Sequence, residues 1–189
     1  MNEKIAVIGS GLIGRAWSIS FARAGYTVEM TDIDPDALNK SIKILKGSLA
    51  DLAEHDLLNG QDVETVAARI SKKESVAIAL DNAIYVQENT AEVLEIKKKV
   101  FAELDGIAEP GTVIGSSTSG FMASLFTEKL DGRHRCLVAH PINPPHLVPA
   151  VELCPAPWTD EPAMKIVTTI MENAGHKTIR MEREIDGFI

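Results

Sequence analysis

Three side chains in the second half of the sequence carry the chemistry of proton transfer. His140 ends a short apolar run, Asn143 follows it within the proline-rich PINPP segment, and Glu152 lies in the next extended stretch. A neutral imidazole accepts a proton near neutral pH. A carboxylate on the opposite ring nitrogen orients that imidazole and stabilises the imidazolium. Ser119, in the TSG segment closing another apolar run, can donate a hydrogen bond to a substrate oxygen; its structural alternative is to cap a short helix over 121–126. A lone histidine is more often a satisfied core or loop residue, and Glu152 can equally serve a core salt bridge. Asn143 and Glu152 together move His140 towards catalysis, with Asn143 holding the cofactor or the catalytic loop in register. The reaction these groups suit is interconversion of a secondary alcohol and a carbonyl, with a proton exchanged at His140 while the carbon-bound hydrogen leaves as hydride.

Hydride needs an acceptor, and residues 4–32 describe one. An apolar strand pattern at 5–8 runs into GSGLIG at 9–14, a helical pattern continues through Trp17, Phe21 and Ala24 to Gly25, and TVEMTD closes on Asp32. Gly9 permits a tight turn, Gly11 lets a pyrophosphate approach the main chain, and Gly14 lets the helix pack close to the sheet. Backbone donors at the helix start, at Leu12 and Ile13, face the diphosphate. Asp32 lies about 18 residues beyond Gly14, near the position where an acidic residue takes the ribose hydroxyls. Its charge disfavours an added 2′-phosphate, so NAD is the expected cofactor over NADP. Arg15 is either a phosphate contact or a solvated helix residue. The bland alternative for the whole unit is a structural glycine-rich turn.

The rest of the chain reads as alternating helices and strands. A helix over 35–57 would bury Ala37, Leu38, Ile42, Leu45, Leu49, Leu52 and Leu57, with a turn at Asn59 and Gly60. A short helix over 62–69 and a Ser75-capped turn lead to a strand at 83–88 that delivers Glu88 to the sheet end. A helix over 91–104 packs Val93, Leu94, Val100, Phe101 and Leu104, leaving lysines 97–99 on its polar side. Strands follow at 112–117, 135–140 and 148–153, then an Asp160-capped helix at 161–173 closed by Gly175, and a last strand at 177–181. The fold class is α/β, a Rossmann-like dinucleotide-binding domain with a mostly parallel sheet flanked by helices.

Composition sets outer bounds. The 189 residues, 45% of them hydrophobic, suit one elaborated domain. A net charge of −8 from 19 basic and 27 acidic residues gives no general attraction to nucleic acid or an anionic membrane. Cys136 and Cys154 fit neither a metal pair nor a disulfide framework and read as buried thiols; no metal site is expected. His134 and His146 read as surface or substrate-loop residues. With no leader and no spanning run, a cytoplasmic location is expected.

The ordered motifs GSGLIGRAW, YVQEN, EIKKKVFAELD, SSTSG, VAHPINPPHLVPAVEL and EIDGF resemble those of the 3-hydroxyacyl-CoA dehydrogenase superfamily, and within it the lambda-crystallin and L-gulonate 3-dehydrogenase branch. The resemblance implies NAD contacts at Gly9, Gly11, Gly14 and Asp32, with Glu88 and Lys97 near the ribose and nicotinamide. It also implies polar site roles for Ser119, His140, Asn143 and Glu152, with His140 and Glu152 as the catalytic pair. Ser117, among the cofactor-binding positions, stands where the broader acyl-CoA enzymes have an asparagine, a departure compatible with the gulonate-like branch. The implied function is the NAD-binding portion of an oxidoreductase acting on the 3-hydroxyl of a short hydroxy acid, L-gulonate-like by preference. Its alternatives are a 3-hydroxyacyl-CoA dehydrogenase domain and a non-catalytic crystallin-like structural or nucleotide-binding protein. The implied boundaries are an NAD-binding domain over 1–183 and, at 184–189, the start of a linker or first helix of a C-terminal helical domain through which the parent dimerises. Activity is expected to be weak or absent without that second domain.

Overall fold

The opening apolar run becomes a central strand because Ile5, Ala6 and Val7 are fully buried on both faces of the sheet. In the computed structural model, which describes residues 3–185, β1 (Lys4–Ile8), α1 (Leu12–Arg23) and β2 (Thr27–Thr31) form the first unit. There follow α2 (Pro35–Glu54), α3 (Val63–Ala67), β3 (Ile70–Lys72), α4 (Val76–Leu80), β4 (Ala83–Glu88), α5 (Leu94–Ile107) and β5 (Val113–Ser116). The last elements are α6 (Ser124–Thr127), β6 (Cys136–Pro141), β7 (Ala150–Pro155), α7 (Glu161–Asn173) and β8 (Lys177–Arg180).

The eight strands among the described residues lie in one sheet, ordered β3-β2-β1-β4-β5-β6-β7-β8. Every neighbouring pair is parallel except β6 and β7. The chain turns one way from β1 to β2 and the other way from β1 to β4, which makes the crevice beyond β1 and β4 the topological switch point of the sheet. Residue alternation divides the core in two. Ile5, Val7, Tyr85, Leu137 and Ala139 face the side covered by α1, α2 and α7, where Trp17, Leu45, Leu49 and Val167 pack. Ala6, Ile8, Val86, Ile114 and Val138 face Phe101, Leu104 and Phe126 on the other side.

Several local expectations shift. The second helix stops at Glu54 and not near 57, because Asp56 and Asn59 take left-handed φ values of 56° and 55°. Leu57 is therefore 41% exposed and Leu58, at 2%, enters the core instead. The helix expected from 91 begins at Leu94, which leaves Val93 at its cap and 48% exposed. Lys97 leaves the polar face of that helix altogether and is 1% exposed. The expected helix over 121–126 shrinks to α6, while the Asp160-capped helix has its expected bounds, with Asp160 accepting from the Ala163 N–H at 2.8 Å. Burial pushes the Cys136 thiol up to about 12 and the Cys154 thiol up to about 11, so both stay protonated. Of the EIDGF motif at 184–188, residues 186–188 lie outside the described part of the chain, as does residue 189.

The helix that carries the glycine turn is held by aromatic packing. Trp17 stacks on Phe21 at 5.1 Å and meets the His176 ring at 4.9 Å. His176 is almost fully buried, its Nε2 3.3 Å from Ser20 Oγ, and burial assisted by the Arg23 charge lowers its pKa to about 4. Unfolded, the same ring titrates near 6.5. Between these values the unfolded chain takes up a proton that the folded chain refuses, so stability falls as pH drops through that window and is fully present above it. His176→Gln is expected to flatten the fall in urea-unfolding stability between pH 6.5 and 4 by up to about 3 kcal/mol. Equal pH slopes in parent and variant would locate the proton uptake elsewhere.

Candidate functional site

The glycine turn sits at the switch point, between the end of β1 and the residue after β4. Gly9 adopts φ +91°, and a Cβ there would stand 2.7 Å from the Asn89 carbonyl oxygen. At Gly14 a Cβ would stand 2.0 Å from the Gly9 carbonyl oxygen, so α1 reaches its distance from the turn only without a side chain. Gly11 is different: a Cβ there meets nothing within 4 Å, and its φ of −64° is ordinary. Nothing within the protein therefore requires glycine at position 11, and the main chain there is open to approach from outside. No side chain caps the first turn of α1, whereas α2 and α7 are capped by Asp34 and Asp160. The N–H groups of Leu12 and Ile13 thus belong to a helix end suited to an anion. Leu12 is 58% exposed beside this turn.

Asp32 leaves β2 towards the same turn. Its Oδ2 accepts from the Ser10 N–H at 2.6 Å and the Ser10 hydroxyl at 2.7 Å, and its Oδ1 accepts from the Asp34 N–H at 3.0 Å. Partial burial opposes its ionisation, but hydrogen bonds from the Ser10 side chain and from the Asp34, Ser10 and Ile33 backbone outweigh that and hold the carboxyl below its usual range. An ionised carboxylate offers about four acceptor sites, and the donors of Ser10, Asp34 and Ile33 already face them, so a ribose hydroxyl would have to share or displace one of these bonds. Arg15 reaches the Ser10 carbonyl at 3.3 Å and Ser41 Oγ at 3.5 Å, which makes it a brace between the turn and α2. The residues present fit an adenine dinucleotide: an open approach at Gly11, an uncapped helix end and an ionised carboxylate beside the turn.

His140 and Glu152 are brought together by the antiparallel pairing of β6 with β7. They are directly opposed across β6 and β7, with His140 Nδ1 2.7 Å from Glu152 Oε2. The Glu152 side chain is fully buried and that of His140 is 13% exposed. A carboxylate on Nδ1 favours the tautomer that carries its proton there, which puts the lone pair on Nε2. Ser119 follows the end of the neighbouring strand β5 and is exposed. It does not cap the following helix; the Thr118 hydroxyl accepts from the Phe121 N–H at 3.1 Å in that place. Asn143 is exposed on the segment joining β6 and β7, which Ser20 anchors by donating to the Pro145 carbonyl at 3.2 Å. His134 is exposed and His146 half-buried, burial and the Arg23 charge lowering the pKa of the latter.

The remaining expected contacts are rearranged. Glu88 is fully buried, and its carboxylate is taken up by the Thr90 N–H and hydroxyl, by Ser116 and by Lys97 Nζ, 3.2 Å from both oxygens. Its carboxylate is the buried counterion of Lys97. Lys97 also meets Glu92 Oε2 at 3.3 Å. Glu92 accepts from the Thr118 hydroxyl and from the Ser119 N–H. Burial works against the Glu92 charge, but the Thr118 bond and the Lys97 ammonium more than offset it. The half-exposed Glu92, missed in the sequence, thus links the buried ion pair to the TSG segment. Ser117 is likewise reassigned: its hydroxyl accepts from Trp17 Nε1 at 3.0 Å and Gln87 Nε2 at 2.7 Å and donates to Asn89 Oδ1 at 2.7 Å. One donor and two acceptor lone pairs are thereby all engaged within the protein. Gln87 left a trace in the sequence, as a polar residue inside an otherwise apolar strand. Among the described residues there is no cluster of three or more metal-ligating side chains, and no helix is long and apolar enough to cross a membrane.

Residues 4–185 match the model of the 3-hydroxyacyl-CoA dehydrogenase NAD binding domain. The chain is 39% identical to a lambda-crystallin homolog of Bos taurus over 97% of its own length and 58% of that protein. It is 35% identical to an L-carnitine dehydrogenase of Streptomyces griseus, over 99% of its length and 55% of the relative. The fold superposes with a TM-score of 0.93 on (S)-3-hydroxybutyryl-CoA dehydrogenase from Ralstonia eutropha, at 23% identity, covering all of this chain and 66% of that one. The chain spans a little over half the length of these curated relatives. It belongs to the 3-hydroxyacyl-CoA dehydrogenase family and is an NAD-binding domain of that family.

The glycines separate ligand approach from folding. Gly11→Ala is expected to leave the thermal midpoint within about 2 °C of the parent and to weaken NAD binding at least about tenfold in calorimetric titration. Gly14→Ala is expected to lower the midpoint by several degrees, since its Cβ must displace main chain. Undiminished NAD affinity in Gly11→Ala would place the diphosphate elsewhere.

Proposed function

We propose that this chain is the NAD-binding portion of a dehydrogenase that oxidises the 3-hydroxyl of a short hydroxy acid, with L-gulonate-like substrates preferred. The observation that carries the reading is the His140–Glu152 pair at 2.7 Å, across adjacent strands and next to the end of β5. A fully buried carboxylate costs several kcal/mol of desolvation unless it is paired. Where that partner is an imidazole at the carboxyl edge of the sheet, the arrangement serves proton transfer. In this reading Ser119 donates a hydrogen bond to the substrate oxygen and His140 Nε2 removes the hydroxyl proton. Glu152 holds the ring and stabilises the imidazolium that results. Bound NAD supplies the hydride acceptor. Gly9, Gly11 and Gly14 with the N–H groups of Leu12 and Ile13 receive the diphosphate, and Asp32 receives the adenosine ribose. Lys97, Glu92 and Asn143 hold the loops around the nicotinamide end.

The family name supports 3-hydroxyacyl-CoA oxidation as a second reading, and the crystallin name of the bovine relative supports a non-catalytic role. The side chain at Ser117 favours the first substrate class over the thioester, since the asparagine of the broader acyl-CoA enzymes is replaced by a hydroxyl already fully used inside the protein. The greater length of the relatives supports a domain over 1–183 and, at 184–189, the start of a linker or first helix of a C-terminal helical domain that encloses the substrate and pairs two subunits. Activity of the present chain alone is accordingly expected to be low.

The deciding measurement is NAD reduction by the full-length protein with L-gulonate and with 3-hydroxybutyryl-CoA, beside the 189-residue chain. His140→Gln and Glu152→Gln are expected to lower kcat by about 100-fold or more while leaving the NAD dissociation constant within about threefold. A preference for the CoA ester overturns the substrate choice. Absence of turnover with either substrate in the full-length protein favours the non-catalytic reading, and equal rates in His140→Gln reject its proton-transfer role.

A further inference from the structure

Beneath the candidate site lies a buried polar network that the reaction scheme above does not use. Gln87 is fully buried in β4. Its Nε2 donates to Ser117 Oγ at 2.7 Å and to the Ala139 carbonyl at 3.2 Å, and its Oε1 accepts from the Tyr85 hydroxyl at 2.5 Å. Ala139 belongs to β6, which is not a neighbour of β4; β5 lies between them. The side chains pass over β5 at Gly115, where a Cβ would stand 2.1 Å from the Tyr85 hydroxyl and 3.2 Å from the Ala139 Cβ. Gly115 is therefore part of the arrangement, because any larger residue would close the path.

The hydrogens in this network have only one consistent direction. The Trp17 indole is a donor only, so Ser117 accepts from it and passes its own hydrogen to Asn89 Oδ1. That fixes the Asn89 amide with Nδ2 towards the Ile8 carbonyl at 3.3 Å and the Gln87 carbonyl at 2.8 Å. The Ala139 carbonyl is an acceptor only, so Gln87 Nε2 must face it and Oε1 must face Tyr85. Burial pushes the Tyr85 phenol well above its ordinary pKa, which keeps it a donor. Satisfied networks of this kind in low-dielectric surroundings hold one geometry, since losing a member strands its neighbours.

The network touches each part of the candidate site through its backbone: the Ile8 carbonyl next to Gly9, Ser117 two residues before Ser119, and the Ala139 carbonyl next to His140. We propose that Gln87 is a positioning residue which, through Ser117 and the Ala139 carbonyl, fixes the spacing between the glycine turn, the Ser119 loop and the His140 ring. This rests on the reading that His140 exchanges the substrate proton. Gln87 itself touches neither substrate nor cofactor. Its effect falls on alignment at the moment of transfer, where a displacement of about 1 Å costs up to about 100-fold in rate.

The test compares Gln87→Met, Ser117→Ala and Ser117→Thr with the parent and with His140→Gln in the full-length protein, using L-gulonate and 3-hydroxybutyryl-CoA as the substrate panel. Methionine keeps the length of Gln87 and removes its bonds; threonine at 117 keeps the hydroxyl. Expected is a fall in kcat of about 10- to 100-fold for Gln87→Met and Ser117→Ala. KM for NAD should stay within about threefold, and Ser117→Thr should be restored to within about threefold of the parent. In NMR titrations of the ring nitrogens, the His140 midpoint is expected to move by about half a pH unit or more in Gln87→Met and Ser117→Ala and to return in Ser117→Thr. Folded variants with parental kcat and an unmoved His140 midpoint overturn the proposal, as does a lowered thermal midpoint that is their sole effect. If Gln87→Met does not fold, the Ser117 pair decides; if the panel gives no turnover, the ring titration decides. An active His140→Gln sinks the proton-transfer reading itself, whereas an inactive His140→Gln beside a fully active Gln87→Met confines the failure to Gln87.

Discussion

The whole site depends on strands that stop in line. In the paired ladders Ile8 lies beside Glu88, Glu88 beside Ser116, and Ser116 beside Val138, so the segments leaving β1, β4 and β5 emerge along one edge, and β6 carries His140 past it before ending at Pro141. Side chains alternate along a strand, and a slip of one residue would turn Gln87 out of the α1 face and place Glu88 there instead. The register is held by burial on both faces, because Ile5, Val7, Tyr85 and Leu137 pack on one side while Ala6, Ile8, Val86 and Ile114 pack on the other. Chemistry at the edge is therefore a product of the core below it.

Buried charge is the second constraint, and the fold answers it in two ways. Glu88 and Lys97 neutralise one another behind the TSG segment, with Ser116 and Thr90 using the remaining carboxylate capacity. Glu152 is matched with an imidazole. The first arrangement has a permanently charged partner and suits support; the second has an imidazole, which can both accept and donate a proton, and suits proton exchange. The return of β7 antiparallel to β6 makes the second arrangement possible, since directly opposed residues on antiparallel strands bring their side chains face to face.

Much of this architecture is legible in local sequence. The strand–glycine–helix–strand–Asp unit, the Asn59–Gly60 turn and the Asp160 cap depend on residue types at short spacing, and each is found where its chemistry puts it. The failures are equally local in form and tertiary in cause. The apolar stripe extended to Leu57 because hydrophobic periodicity does not register a left-handed turn at Asp56 and Asn59. Helical periodicity sets Lys97 on the polar side with its neighbouring lysines because nothing adjacent to it announces Glu88 at the end of another strand.

By itself, the sequence determined the fold class, the NAD-type glycine turn with Asp32, and the histidine and glutamate that form a pair. These rest on steric and electrostatic needs satisfied within a few residues, or on motifs whose order along the chain is itself specific. Tertiary structure alone decided how the polar residues divide between contact and support. Ser117 became a junction and Glu88 a counterion, while Glu92 and Gln87 became parts of the surroundings of the site. Hydrogen-bond capacity is finite, and which partners consume it depends on distances between strands far apart in sequence.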